Sequence, residues 1–345
     1  MNGKYRRAVI PFLAVIAAAV LFYAPPETGA GESNVTSDMA ITPQFDDAGD
    51  FSEGLAGVKV GDTWGFIDTA GSFIVSPQFD RVWDFSEGTA RVMQNDKYGF
   101  VDKAGTPIAA PGFDGALDFS EGLAAVRVGD EYGYIDKTGS FVIDPRFTEA
   151  LPFHEGLARV LVGDKCGYID RTGAYVIKPR FEGAGNFSDG LATVIVGEKR
   201  GYIDKTGALV VPPRFDGVGY FHEDLAFVRV GVKWGYIDKT GQYVVKPQFD
   251  FSHAFSEGLA RVMVGREWGY IDSDGNSIIE PQFDDAGDFK ESLAPVRDGD
   301  GWGFIDKSGR YVIEPRFDGA SPFSEGMARV KVGGRWGYIK NPLEE

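Results

Sequence analysis

A column of carboxylates recurs at a fixed interval along the chain and offers oxygen ligands for a hard cation such as Ca²⁺. Its members are Glu53, Glu87, Glu121, Glu155, Asp189, Glu223, Glu257, Glu291 and Glu325. Most of them stand in a Ser-Glu-Gly turn ahead of a predicted strand. No second column of ligands has a suitable offset, so the favoured interpretation is that each carboxylate accepts backbone N–H bonds within its own turn. The sequence therefore predicts no metal site and no cofactor.

A second column is mostly aromatic. It contains Trp64, Tyr98, Tyr132, Cys166, Arg200, Trp234, Trp268, Trp302 and Trp336. Flat rings could stack on sugar rings, and the alternative is that they pack against a neighbouring unit. Because burying an unpaired guanidinium is costly, Arg200 indicates that the column is partly exposed. All members except Cys166 are candidate ligand-binding residues.

A third column is basic. Lys and Arg occupy the face of one predicted strand that is opposite its buried Val residues, at Lys59, Arg91, Arg127, Arg159, Arg229, Arg261, Arg297, Arg329 and Lys331. This basic stripe could contact an anionic polymer such as a cell-envelope glycan. The alternative is pairing with Asp and Glu across strands, which contributes little per pair.

The histidines do not suggest catalysis. His154 and His222 occupy equivalent positions in different units, and no His–Asp–nucleophile arrangement can be assembled from such positions. Function on repeat folds normally lies in inserted loops or exposed variable columns, and the repeats contain no insertion. We expect a protein that is not an enzyme, with a hydrolase as a remote alternative.

These columns are positioned by a repeat of 34 residues without insertion or deletion. Its prolines are Pro43, Pro77, Pro111, Pro145, Pro179, Pro213, Pro247, Pro281 and Pro315. In the unit that starts at Pro247, alternation over 259–264 predicts a strand, the Trp-Gly-Tyr-Ile run over 268–271 a second, and 277–280 a third. Each unit is a three-stranded β-meander that is marginal alone, so stacked neighbours must bury its apolar face.

Two all-β architectures fit nine such units. The first expectation is an open, superhelical, β-solenoid-like array. The alternative is a closed β-propeller completed by the N-terminal strand, because Met39 to Thr42 matches a third strand and the chain lacks one after Ile339.

The motif F-S-E-G-L-A…V-G…W-G-Y-I-D-K-T-G…V-I-x-P, over about residues 39 to 341, resembles the bacterial WG-repeat (KWG-type) proteins. That family is defined by its repeat, so the resemblance implies the repeat fold and transfers no catalytic residues.

The N-terminus and the charge indicate where such a protein works. Lys4, Arg6 and Arg7 precede an apolar run that ends at Ala24, which predicts a signal peptide or signal anchor over 1–30, a linker over 31–38 and the repeat domain over 39–345. The net charge of −16 argues against nucleic acid as a partner. We expect an exported binding protein that is periplasmic, secreted or anchored outside the cytoplasmic membrane, touching the membrane only through its N-terminal segment. Its partner would be a protein or polysaccharide of the cell envelope. A structural spacer is the alternative.

Overall fold

The computed structural model describes residues 39–344, and the signal, linker and anchor predictions for 1–38 lie outside that range. Within it the chain forms nine four-stranded antiparallel sheets. These sheets are the blades of a closed β-propeller. Blade 1 is β2 to β5, the next seven follow in chain order, and blade 9 is β34, β35, β36 and β1.

Each blade begins with a short strand and continues through three longer ones. The short first strands are β2 Asp47–Ala48, β6 Arg81–Ser86, β10 Gly115–Ala116, β14 Glu149–Ala150, β18 Gly183–Ser188, β22 Gly217–Val218, β26 Phe251–Ser252, β30 Asp285–Ala286 and β34 Gly319–Ala320. The second strands are β3 Leu55–Val60, β7 Thr89–Gln94, β11 Leu123–Val128, β15 Ala158–Val162, β19 Leu191–Val196, β23 Leu225–Val230, β27 Ala260–Val264, β31 Leu293–Asp298 and β35 Met327–Val332.

The third strands carry the Trp-Gly motif, in which another residue replaces Trp in blades 2 to 5. Each fourth strand ends at the Pro-x-Phe that recurs every 34 residues. The third strands are β4 Thr63–Asp68, β8 Lys97–Asp102, β12 Glu131–Asp136, β16 Lys165–Ile169, β20 Lys199–Ile203, β24 Lys233–Asp238, β28 Glu267–Ile271, β32 Gly301–Asp306 and β36 Arg335–Lys340. The fourth strands are β5 Phe73–Phe79, β9 Pro107–Phe113, β13 Phe141–Phe147, β17 Tyr175–Phe181, β21 Leu209–Phe215, β25 Tyr243–Phe249, β29 Ser277–Phe283, β33 Tyr311–Phe317 and, for blade 9, β1 Met39–Phe45.

The N-terminal strand closes the ring. β1 pairs antiparallel with β36, and Phe45 lies opposite Trp336 just as Phe79 lies opposite Trp64 in blade 1. The hydroxyl of Tyr338 in blade 9 donates to the carbonyl oxygen of Gly49 in blade 1 at 2.7 Å. The expectation of an open array is therefore wrong, and the alternative of a propeller completed by the N-terminal strand is confirmed.

The prediction of three strands per unit also needs correction. The connector before each Ser-Glu-Gly turn contributes a first strand that is only two residues long in seven blades. So short a strand carries no alternation of apolar and polar residues, which is why the sequence pattern did not show it.

The glycine of the Trp-Gly motif is required by a close approach of two strands. A Cβ on Gly65 would lie 2.4 Å from the carbonyl oxygen of Val75 and 2.7 Å from the nitrogen of Pro77, which are both in β5. Backbone atoms cannot give way as a flexible side chain can, so only glycine fits.

The hydrophobic core is divided into layers between successive blades. Tyr202 is fully buried in one such layer; its ring contacts that of Phe221 in the next blade at 4.8 Å, and its hydroxyl donates to the carbonyl oxygen of Gly219 at 2.8 Å. Equivalent contacts recur around the ring, so each blade buries its faces against both neighbours. Along residues 39–344, no helix is long and apolar enough to cross a membrane.

Candidate binding site

The carboxylate column links each blade to the next. The Glu53–Gly54 pair has φ values of 55° and 84°, and Ser52 and Leu55 bond each other's backbone across it, as in a two-residue hairpin with both central residues left-handed. The Glu87 carboxylate then accepts a bond from the N–H of Gly122 at 2.8 Å, one repeat further on. Each carboxylate thus serves the following turn rather than its own, which corrects the expectation from sequence.

Lysines complete most of these links. Lys137 Nζ lies 3.3 Å from the Glu87 carboxylate. Partial burial raises the pKa of Glu87, but the bonds from Gly122 and Lys137 outweigh burial and hold the pKa below its ordinary value. Glu325 accepts from the N–H groups of Glu53 and Gly54 and so closes the chain of links. Among the described residues, no group of three or more His, Cys, Asp or Glu is arranged to hold a metal ion.

The aromatic column and the basic stripe form one layer. The aromatic members are half-buried, and Cys166 is buried with 3% exposure. The guanidinium carbons of Arg229, Arg261 and Arg329 lie 5.6, 5.4 and 5.3 Å from the ring centres of the Trp in their own blades. These distances are those of cation–π contacts.

Part of the basic stripe also reaches a neighbouring blade. Arg91 pairs with Asp118 at 2.9 Å, and Arg261 with Asp288 at 2.8 Å. Arg329 pairs with Asp50 across the closure of the ring at 3.0 Å. Arg127, in contrast, stays within its own blade and donates to the carbonyl oxygen of Asp114 at 2.7 Å. The side chains of Arg91 and Arg261 are only 11% and 18% exposed, so these cations are engaged within the protein.

The aspartate column, three of whose members accept these pairs, was not recognised from the sequence. Its members occupy one position of the repeat, at Asp50, Asp84, Asp118 and Asp288, and the other five blades have Pro152, Asn186, Tyr220, Ala254 and Pro322 there. A cavity of about 500 Å³ is lined by Asp50, Asp84, Asp288 and residues of the blades between them. Since consecutive blades converge only at the axis, this position faces the central channel. The channel is therefore acidic on one side.

An aromatic cluster covers blades 6 and 7. The ring of Phe251 lies 5.7 Å from that of Trp234 and 6.0 Å from that of Trp268, and it is 40% exposed. His253 lies 5.9 Å from Trp268. Burial lowers the pKa of His253 and the nearby Arg261 lowers it further, which favours a neutral imidazole. Phe227 packs on Trp234 at 5.4 Å. We call Phe227, Trp234, Phe251, His253 and Trp268 the aromatic platform.

A cleft of about 400 Å³ lies beside this platform and spans blades 4 to 6. It coincides with the two departures from the aromatic column, because Cys166 and Arg200 both line it. In blade 6, a Cβ on Gly217 would lie 3.1 Å from Cη2 of Trp234, so the indole covers that glycine.

Blade 5 has no indole at this place, and Ile195 covers the equivalent glycine instead. The equivalent glycine is Gly183, and the three side-chain atoms nearest its Cβ position all belong to Ile195. Arg200 instead turns toward blade 6, where its Nη1 donates to the carbonyl oxygen of Asp216 at 2.7 Å. The cleft thus lies where blades 4 and 5 carry Cys166 and Arg200 in place of an indole.

The structure thus brings some members of the aromatic column and of the basic stripe together in blades 4 to 7, and it places the other members of the aromatic column elsewhere in the ring. Arg159 and Arg200 meet in the cleft, and Trp234 and Trp268 meet in the platform, whereas Trp64, Tyr98, Tyr132, Trp302 and Trp336 lie in other blades. Sequence reasoning missed Tyr220 and Phe251. The sequence does contain a signal for both, because each is a large aromatic residue at a repeat position where the other units have smaller or polar residues.

The comparisons with known proteins agree with the fold. Against solved structures, one described as a crystal structure of the eukaryotic initiation factor has a TM-score of 0.61, with 11% identity over 88% of this chain and 92% of that one. The dihydro-heme d1 dehydrogenase NirN in complex with DHE has a TM-score of 0.47, with 13% identity over 84% of this chain and 80% of that one. Hsv2p of Kluyveromyces lactis has a TM-score of 0.42, with 10% identity over 67% and 93%. At these identities the first similarity shows the fold alone.

No curated protein matched the sequence. The family model described as WG containing repeat matches nine times, at residues 34–64, 64–98, 98–132, 132–166, 167–199, 201–234, 234–266, 268–302 and 302–336. These matches follow the blades around the whole ring, and the chain belongs to the WG containing repeat family.

Proposed function

We propose that this chain is a non-catalytic binding protein that engages a protein or a polysaccharide of the cell envelope through one sector of its ring. The observation that carries the proposal is the aromatic platform of blades 6 and 7 beside the cleft of blades 4 to 6. An exposed aromatic ring held by two further rings presents apolar area at a small cost in conformational entropy, which suits recognition.

The remaining columns support the choice of this sector. The Glu and Ser columns make contacts between blades both inside and outside this sector, so their side chains are committed to the ring. The platform and the cleft add two exposed aromatic rings to this framework, those of Phe251 and Tyr220. We propose no role for a metal or a cofactor.

The test is a glycan array and a pull-down from an envelope fraction with the full chain, in parallel with Phe251→Ala and the triple variant Trp234→Ala, Trp268→Ala, Trp302→Ala. We expect a bound glycan or protein whose signal falls at least tenfold with either variant. Ile74→Ala is the control, because Ile74 is equally exposed but lies on the fourth strand of blade 1. A partner that binds all variants alike would refute the proposed sector. Turnover that is abolished by one substitution would refute the non-catalytic assignment.

Export is part of the proposal and rests on the N-terminal pattern of residues 1–30. Cell fractionation and N-terminal sequencing of the mature protein test it. We expect the protein outside the cytoplasm, either beginning near residue 31 or retaining its apolar segment in the membrane. A full-length protein found in the cytosol would contradict export.

A spacer or scaffold is the second candidate. It is favoured by the continuous chain of Glu and Ser contacts that joins blade 9 to blade 1, which serves the ring itself. Removing residues 179–212, one whole repeat that includes most of blade 5, distinguishes the two. A scaffold retains its cellular function if the shortened ring closes, whereas a binding protein loses its partner with the cleft.

A further inference from the structure

The cleft has a floor of small residues. Gly183, Ala184 and Gly185 form it, and the hydroxyl of Tyr168 fixes it by donating to the carbonyl oxygen of Gly185 at 2.7 Å. Tyr168 is fully buried, so the floor is tied to the core between blades. A preformed concave site of about 400 Å³ is within the range that holds small ligands, roughly 300–1,000 Å³.

One aromatic ring borders the cleft and is available to a ligand. Tyr220 is 43% exposed and lies against the backbone of Gly185, where a Cβ would be 2.9 Å from the ring atom Cε1. The same Cβ would be 2.5 Å from Oγ1 of Thr193. Glycine therefore allows the ring and a hydroxyl group to meet at one point, and the exposed ring face can stack on the apolar face of a flat or cyclic ligand.

The charged groups of the cleft cancel. Arg159 and Arg200 line it together with Glu149 and Glu182, so two positive charges meet two negative ones. Arg159 Nη1 pairs with the Glu149 carboxylate at 2.9 Å. A site with no net charge gives no advantage to an ionic ligand over a neutral one, while its guanidinium and carboxylate groups still donate and accept hydrogen bonds in fixed directions.

The hydrogen-bonding groups of the cleft are the guanidinium groups of Arg159 and Arg200, the carboxylates of Glu149 and Glu182 and the hydroxyl of Thr193. Nε of Arg159 is buried and has no hydrogen-bond partner among residues 39–344. Nε of Arg229 and Nε of Arg329 are also buried without a hydrogen-bond partner in that range, so Nε of Arg159 does not distinguish the cleft, and its burial keeps it out of reach of a ligand. The site thus offers stacking, apolar contact from Leu161 and Ile195, and both donors and acceptors for hydroxyl groups.

We infer that this cleft binds the uncharged, hydroxylated ring of a sugar, either free or as one unit of a polysaccharide. The inference rests on the proposed binding function and specifies its ligand class and its place in the ring. Cys166 and Arg200 create the site by removing the indole, Tyr220 stacks on the ring, and Arg159 with the two glutamates bonds its hydroxyl groups.

The experiment is ligand-observed NMR followed by calorimetry on the full chain. The probes are glucose, galactose and mannose, the acidic sugar glucuronate, the amino sugar glucosamine, and neutral tetrasaccharides of glucose. We expect at least one neutral sugar to bind at least tenfold more tightly than its charged counterparts. Tighter binding of a tetrasaccharide than of its monosaccharide identifies a polymer as the source, and equal binding identifies the free sugar.

Arg200→Trp tests the location. It restores the residue found in five other blades and adds an indole beside Ile195, which already lies over Gly183. We expect at least a tenfold loss of sugar binding. Glu198→Trp adds the same ring to the exposed turn of the same hairpin, outside the cleft, and should bind as wild type does. Tyr220→Ala should weaken binding roughly tenfold through lost stacking.

The results separate this inference from the general proposal. Unchanged sugar binding in Arg200→Trp, or preference for a charged sugar, overturns the neutral-sugar cleft while leaving a binding function in place. Failure of every probe to bind, in a protein whose array signal depends on Phe251, also overturns the cleft alone. If no partner of any kind is found by array, pull-down and NMR, both proposals fail.

Discussion

Two sectors of the ring use the same framework differently. In blades 7 to 9 and 1 to 3, Arg from one blade reaches Asp of the next blade in the pairs Arg261–Asp288, Arg329–Asp50 and Arg91–Asp118. In blade 4 the equivalent Arg159 finds no such partner, because blade 5 has Asn186 at the Asp position, and it pairs within its own blade with Glu149. We call blades 7 to 9 and 1 to 3 the paired sector, and blades 4 to 6 the cleft sector. The comparison shows that the repeat ordinarily fills its own surface, and that a site opens where its columns are interrupted.

The largest loss of stability should be equal in both sectors, because the close approach of the third and fourth strands is common to all blades. Gly201→Ala in blade 5 would bring a Cβ to 2.3 Å from the carbonyl oxygen of Val211, and Gly269→Ala in blade 7 to 2.4 Å from that of Ile279. We expect each to lower the free energy of unfolding in urea by about 3 kcal/mol. Gly112→Ala is the control, since its nearest atom would be 3.6 Å away. Tolerance of the change in one sector alone would show that the blades do not share one framework.

A smaller loss of stability should follow when one Arg–Asp pair of the paired sector is broken. Asp118→Asn removes the carboxylate from Arg91, whose side chain is 11% exposed, and leaves a nearly buried cation with neutral partners only. We expect the free energy of unfolding at neutral pH to fall by about 2 kcal/mol, measured by urea denaturation. Asp130→Asn, on an exposed turn, is the matched control. Equal stability of Asp118→Asn and wild type would mean that the pair is not part of what holds these blades together.

The reverse change should make the cleft sector resemble the paired one. Asn186→Asp supplies Arg159 with a carboxylate at the position where Arg91 has Asp118. We expect the free energy of unfolding to rise by about 1 kcal/mol, because Nε of Arg159 is buried without a hydrogen-bond partner in residues 39–344. Urea denaturation in parallel with Asn186→Ala measures this gain. A destabilised Asn186→Asp would show that Arg159 cannot leave Glu149.

The smallest expected effect is a change in folding stability with pH. Asp84 is the one channel aspartate whose preceding blade has no Arg, since that position is Gly57. Asp84 is exposed to solvent, but the protein around it partly desolvates the carboxylate. This desolvation, together with the charges of Asp50 and Asp118, outweighs the charge of Arg329 and raises the pKa of Asp84 above 3.8. The folded ring therefore favours the protonated acid more than the unfolded chain does. Stability contributed by this group is present at low pH and declines as pH rises from 3.8 through the raised pKa.

Asp84→Asn should remove this decline. Urea denaturation at a series of values between about pH 4 and about pH 7 compares the variant with wild type and with Asp130→Asn. We expect the difference in stability between Asp84→Asn and wild type to grow in favour of the variant as pH rises. A difference that is constant over this interval would contradict the raised pKa.

Much of the fold could be predicted from the sequence because the same residue pattern recurs in every repeat. The interval between prolines fixed the number of blades, and alternation fixed three of the four strands. The match between residues 39–42 and a missing last strand indicated closure. Closure itself could not be decided, because it depends on the rotation between successive blades, which many small contacts such as those of Tyr202 and Phe221 set together.

The site was harder to predict because it depends on contacts between columns. Cys166 and Arg200 stood out as interruptions, but the sequence did not show that the indole covers the first residue of its own blade, as Trp234 covers Gly217. Nor did it show that the Glu column bonds the next turn, since each hairpin turn looks self-sufficient when read alone. Both relations appear only once adjacent blades are side by side.

The pairing of β1 with β36 has a consequence for how the molecule reaches its final shape. The bonds at that seam join residues separated by about 270 to 290 positions, such as Gly54 with Glu325 and Gly49 with Tyr338. Contacts so distant along the chain form late, after the local hairpins have already assembled. Until β1 and β36 pair, the folding chain is an open arc with an unpaired strand edge at each end, and such edges can pair with those of another molecule.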